Sequence, residues 1–160
     1  MAAAPQVSEY EPEIVRGEVV ERPMPDKIHG LLTTLLVLEF ASAISARALW
    51  VAVGLRVQTS VGNSRLPDLI VYTEEPPARV PENAPLVTIE IISPDERYYD
   101  VIEKCAEYRK WGVKNIWTVE APQHRLGVYR DGALHPASEL SLPEFGVHIT
   151  AESLFAQLPK

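Results

Sequence analysis

Short apolar runs with strand-like character alternate along this chain with two stretches of helical periodicity, and Pro, Gly and Asp punctuate the joints. Residues 14–22 read as strand, with Gly17 placed to split it into a hairpin. Pro23-Met24-Pro25-Asp26 breaks that run. Asp26 is set as the N-cap of a helix over 27–48, apolar at Ile28, Leu31, Leu32, Leu35 and Leu38. A Val- and Leu-rich strand is expected over 49–59, a turn at Gly62-Asn63-Ser64, and a strand over 66–72 that carries Asp68. Residues 74–85 form a proline-rich surface loop, and 86–92 is a strand that carries Glu90. Ser93-Pro94-Asp95 turns the chain into a helix over 98–111, stopped by Gly112. Strands follow over 115–120 and 124–130, then a turn at Asp131-Gly132 and a tail that ends in a short amphipathic helix near 151–158.

This order of strands and helices describes a mixed β-sheet flanked by helices, hence an α/β or α+β fold. A chain of 160 residues makes one domain with a proper core. We expect a loose N-terminal arm over 1–13 and a single domain over 14–160. The proline-rich loop is no domain boundary, because neither flank could bury a core alone.

The apolar fraction of 46% is ordinary, but the formal charge of −7 weighs against extended, unspecific DNA binding, which needs Lys and Arg on phosphates. No basic run interleaved with aromatics is present. The single Cys105 excludes an internal disulfide and any multi-cysteine zinc site, and it fits a reducing, cytoplasmic setting. Its helical neighbours Val101 and Ile102 place it in the core. The apolar stretch 31–55 contains Glu39 and Arg47, so a helix followed by a strand is expected there and no membrane span. The first residues carry no basic segment followed by an apolar one, as a leader would.

Two carboxylates sit among apolar strand residues, Asp68 in Leu66-Pro67-Asp68-Leu69-Ile70-Val71-Tyr72 and Glu90 in Leu86-Val87-Thr88-Ile89-Glu90-Ile91-Ile92. Buried acids there are costly without a partner, and two on neighbouring strands repel unless a cation or proton lies between them. A divalent metal resolves this. Mg²⁺ takes a couple of carboxylates plus water and substrate phosphate. If the 98–111 helix runs back over the sheet, Lys104 comes level with Glu90, where its charge could orient water or stabilise a developing anion.

Pro67-Asp68 followed by Glu90-Ile91-Ile92 resembles the PD-(D/E)XK nuclease signature, with Ile92 where that signature carries lysine. The chain is more closely similar to the Uma-type family of restriction-endonuclease-like proteins within that superfamily. The resemblance runs from about Glu9 to Leu158. It rests on Gly17-Glu18, His29-Gly30, Pro67-Asp68, Glu90-Ile91-Ile92-Ser93-Pro94, Asp100 with Lys104 and Tyr108, Gly112-Val113, Ile116-Trp117 and Val128-Tyr129. It implies a restriction-endonuclease-like core and Mg²⁺- or Mn²⁺-dependent hydrolysis of phosphodiester bonds in nucleic acid, DNA foremost. Asp68 and Glu90 would be metal ligands, Lys104 the displaced lysine, and Glu18 a further ligand or water contact. It also implies a homodimer, for which the apolar 31–38 helix leaves surface.

Structural readings of the same residues remain open beside these. Asp68 could cap a turn or pair with Arg65. Glu90 could form a salt bridge with Lys104, or Lys104 an i,i+4 pair with Asp100. Glu18 could be exposed, and His29 could serve packing or hydrogen bonding. Tyr108, Trp111 and Trp117 suit core or interface. Two further function classes follow: a non-catalytic homodimeric module that keeps the fold, and a metal-dependent hydrolase of a small phosphorylated molecule.

Overall fold

The computed structural model describes residues 13–22 and 25–160. The expected arm lies outside the described residues except for Glu13, which opens the first strand. Strands β1 (Glu13–Val15) and β2 (Glu18–Val20) form the hairpin that Gly17 signals. Arg16 and Gly17 turn it with φ of 53° and 79°, a pairing whose twist suits adjacent antiparallel strands.

Helix α1 (Lys27–Glu39) starts where Asp26 caps it, the carboxylate accepting the His29 N–H at 2.8 Å. It ends before the expected residue 48. Phe40, fully buried, turns its N–H to the Val37 carbonyl, and a short second helix, α2 (Ala41–Ser45), carries the chain on. The expected 49–59 strand is two strands in different sheets, β3 (Trp50–Val53) and β4 (Val57–Ser60). Gly54, at φ 58°, is where the chain leaves the first sheet. Asn63 and Ser64, expected in a turn, belong to β5 (Asn63–Arg65), and the reversal falls at Val61-Gly62.

The central elements follow the alternation closely: β6 (Leu69–Tyr72), β7 (Val87–Ile92), α3 (Tyr98–Trp111), β8 (Asn115–Glu120) and β9 (Arg125–Arg130). Gly112 ends α3 at φ 121°. The tail adds β10 (Ala133–Ala137), β11 (Glu139–Leu142), β12 (Val147–Thr150) and α4 (Ala151–Ala156). Its three strands were not anticipated, because polar residues and Pro136 interrupt their alternation.

Six strands make the main sheet in the order β10-β9-β8-β7-β6-β3, and β2-β1-β5-β4 make a second. All neighbours in the main sheet are antiparallel except β7 and β8, which α3 connects as a crossover. The fold is therefore α+β, a mixed sheet flanked by helices. Alternation divides the core between two faces. Val87, Ile89 and Ile91 pack with Leu32 and Leu36 of α1 and Leu154 and Phe155 of α4. On the opposite face α3 lays Val101, Cys105 and Tyr108 against Ile116 and Tyr129. Among the described residues no helix is long and apolar enough to cross a membrane.

Candidate active site

Antiparallel β6 and β7 pair Leu69 with Ile89 and Ile70 with Thr88, and one more step of that register sets Asp68 opposite Glu90. Asp68 is not inside the strand, as the apolar run suggested, but lies immediately before β6. Its Oδ2 accepts the Ile91 backbone N–H at 2.7 Å, which locks it against β7. Oδ1 accepts from Arg22 Nη2 at 2.7 Å and lies 2.9 Å from His29 Nε2. The sequence alternative of an Asp68–Arg65 pair is not what forms. Arg65 turns to Glu107 at 2.6 Å and Glu13 at 3.0 Å.

Glu90 belongs to the β7 face that α3 covers, and it is 3% exposed. Its Oε1 accepts the Tyr108 hydroxyl at 2.6 Å, and its Oε2 is 3.5 Å from Lys104 Nζ. Lys104 and Tyr108 are four residues apart on α3 and so project from one face onto the same carboxylate. Lys104 also reaches Glu96 at 3.6 Å, while Asp100 pairs with Arg97 instead. The helix thus brings Lys104 level with Glu90.

Glu18 stands apart from this group. It is exposed on β2, near the hairpin turn. Glu13 takes the buried place, two residues farther along the same hairpin face, about 7 Å from the turn end. Its Oε1 accepts the Leu66 N–H at 3.1 Å, which ties β1 to the segment that presents Asp68. Arg22, Glu13 and Glu96 were not singled out from the sequence, and Arg65 entered only as a partner for Asp68. No local pattern links Arg22 to an aspartate 46 residues on, or Glu13 to an arginine 52 residues on. Tyr108 offered a signal, an i,i+4 partner of Lys104 on the apolar face.

The environment separates the two acids. Burial alone would raise Asp68, but the His29 hydrogen bond and the Arg22 charge outweigh it and hold this carboxyl below its usual range. Burial pushes Glu90 up to about 8, with Lys104 pulling it down and Asp68 adding to the rise. Burial works against the Lys104 charge, but Glu90, Glu13 and Glu96 more than compensate and keep it protonated. The hydrogen bond to Asp68 raises His29.

A cavity of about 570 Å³ opens over this cluster, with Arg22, His29, Lys104, Glu96, Ile92 and Pro94 in its wall. Asp68 and Glu90 lie behind Arg22, His29 and Lys104. Mg²⁺ and Mn²⁺ take hard oxygen ligands, and each carboxylate offers about four lone-pair sites. Three donors use Asp68 and two groups hold Glu90, so both keep acceptor capacity. The donor set fits such an ion held by two protein ligands. Among the described residues no three His, Cys, Asp or Glu side chains converge as a metal cluster, so water and substrate would complete its shell.

The family model Uma2, described as "Putative restriction endonuclease", matches residues 3–158. Among solved structures the chain is similar to a "putative nuclease belonging to DUF820" from Anabaena variabilis ATCC 29413, with TM-score 0.81. Sequence identity is 24%, over 93% of this chain and 92% of that one, a likeness of fold. No curated protein matches.

Proposed function

From the chain's membership of the Uma2 family, described as "Putative restriction endonuclease", we propose that it is a divalent-metal-dependent nuclease that hydrolyses phosphodiester bonds in nucleic acid, DNA foremost. The observation that carries this is the placement of Asp68 against Glu90 across β6 and β7, with Lys104 on Glu90, beside an open cavity.

In this reading Asp68 and Glu90 hold Mg²⁺ or Mn²⁺. The ion when bound supplies Lewis-acid stabilisation of a phosphoryl group and acidifies water. The protein supplies the rest. The Ile91 N–H fixes the Asp68 carboxylate, and Tyr108 fixes Glu90. Lys104, anchored on α3 and kept charged by its carboxylates, offers donors to the negative charge that develops on the phosphoryl oxygens. Glu18, exposed near the hairpin turn and absent from the cavity wall, is given no role in this reading.

The test is cleavage of labelled DNA and RNA with Mn²⁺ or Mg²⁺ by the wild type, Asp68→Asn, Glu90→Gln and Lys104→Met. Far-UV circular dichroism confirms folding. We expect a loss of at least about 100-fold for each variant, the scale of removing one preorganised electrostatic group. Wild-type cleavage by a folded Glu90→Gln would overturn the assignment.

The direct Glu90–Lys104 pair and the charge of −7 favour a second reading, a non-catalytic homodimeric module with the same fold. Leu31 and Leu38, 39% and 61% exposed on α1, offer it an apolar surface. Calorimetric titration with Mn²⁺ separates the two: binding lost in Glu90→Gln supports the nuclease, and no binding supports the module.

A further inference from the structure

Of the basic groups on the two acids, Arg22 is the most exposed. It follows β2, and its side chain is 22% exposed against 19% for His29, held in the first turn of α1, and 9% for Lys104. Arg65 is clamped by two glutamates, and Lys104 is rooted in the middle of α3. Arg22 lies in the cavity wall with its Nη2 on Asp68 Oδ1, while its Nε is 3.9 Å from Glu13. A guanidinium on Asp68 and a divalent cation on Asp68 repel strongly in a buried site. The adjacent cavity gives Arg22 somewhere to go. A planar guanidinium facing that space is shaped for two parallel hydrogen bonds to a phosphate.

We propose that Arg22 is the phosphate-binding residue of this site, latched on Asp68 until a divalent ion displaces it into the cavity. This rests on the metal-dependent reading above. Two opposite effects of one substitution follow. With Arg22→Met the ion no longer competes with a guanidinium, so Mn²⁺ binds more tightly. The Mn²⁺-loaded protein then holds a phosphate ligand less well. A purely structural role would weaken both, and a bystander would move neither.

The experiment is isothermal titration calorimetry of the full chain and of Arg22→Met, first with Mn²⁺ and then, at saturating Mn²⁺, with deoxythymidine bisphosphate. Thermal melts confirm that the variant is folded. We expect Mn²⁺ affinity to rise about tenfold or more and bisphosphate affinity to fall about tenfold, the scale of one charge-assisted contact. Mn²⁺ affinity that is unchanged or lower in the variant overturns the latch and leaves the metal reading standing. Unchanged bisphosphate affinity overturns the phosphate role. Absence of Mn²⁺ binding in both proteins removes the metal reading and the latch together. Binding in Arg22→Met alone supports the latch most strongly. Should Arg22→Met not fold, Arg22→Lys serves. It keeps the charge but has no fork, so bisphosphate binding should weaken, and full retention overturns the phosphate role.

Discussion

Lys104→Met gives a sharp test of the electrostatics beneath the cavity. Burial pushes the Glu90 carboxyl up to about 8 even with Lys104 nearby, and removing the ammonium raises it further. A carboxyl whose folded pKa stands above its unfolded value, about 4.3, contributes stability in full at low pH. That contribution is lost as pH rises through the folded pKa. Wild type and variant therefore lose stability in parallel up to about pH 8. Above that the wild type levels off, because Glu90 ionises in place against Lys104, 3.5 Å away. The variant keeps losing about 1.4 kcal/mol per pH unit. By about pH 9 this adds a Tm gap of about 3–6 °C over that at the acid end for a chain of this size. Thermal melts of both proteins at pH 6, 7, 8 and 9 measure it, and common titrations elsewhere cancel in the difference. The gap should be flat at the acid end and widen at the alkaline end. A constant gap throughout would refute the coupling of Glu90 to Lys104.

Three further outcomes are expected. Glu13→Gln removes a charge partner from buried Arg65 and should lower unfolding stability by about 1–3 kcal/mol, read from the urea midpoint. A change below about 0.5 kcal/mol would deny Glu13 its part in holding the segment before Asp68. Gly127→Val should destabilise by about 1–3 kcal/mol, because a Cβ at Gly127 meets the side chain of its cross-strand partner, buried Thr118; an unchanged melting temperature would show that Thr118 yields freely. Cys105 is fully buried on α3 and its thiol is pushed up to about 12, so reaction with Ellman's reagent should follow global unfolding in urea; fast reaction of the native protein would show local opening of α3.

By itself the sequence determined the local grammar of this protein. Asp26 started α1, Gly112 ended α3, and short apolar runs marked β7 and β8 to within a residue. It also singled out Asp68 and Glu90 as charges out of place in apolar surroundings, and helix geometry brought Lys104 level with Glu90. These features are legible because caps, turn glycines and side-chain alternation act within a few residues of themselves. Tertiary structure decided where β3 and β4 part company, since both are ordinary strand sequence and only sheet assignment separates them. It also decided which acid of the first hairpin is buried. Glu13 and Glu18 belong to the same hairpin face, and only the approach of Leu66 and Arg65 selects Glu13. Arg22 reaches Asp68 across 46 residues for the same reason. A charged side chain's partner in the interior depends on which strands become neighbours, and that is settled by burial of the whole apolar set rather than by spacing along the chain.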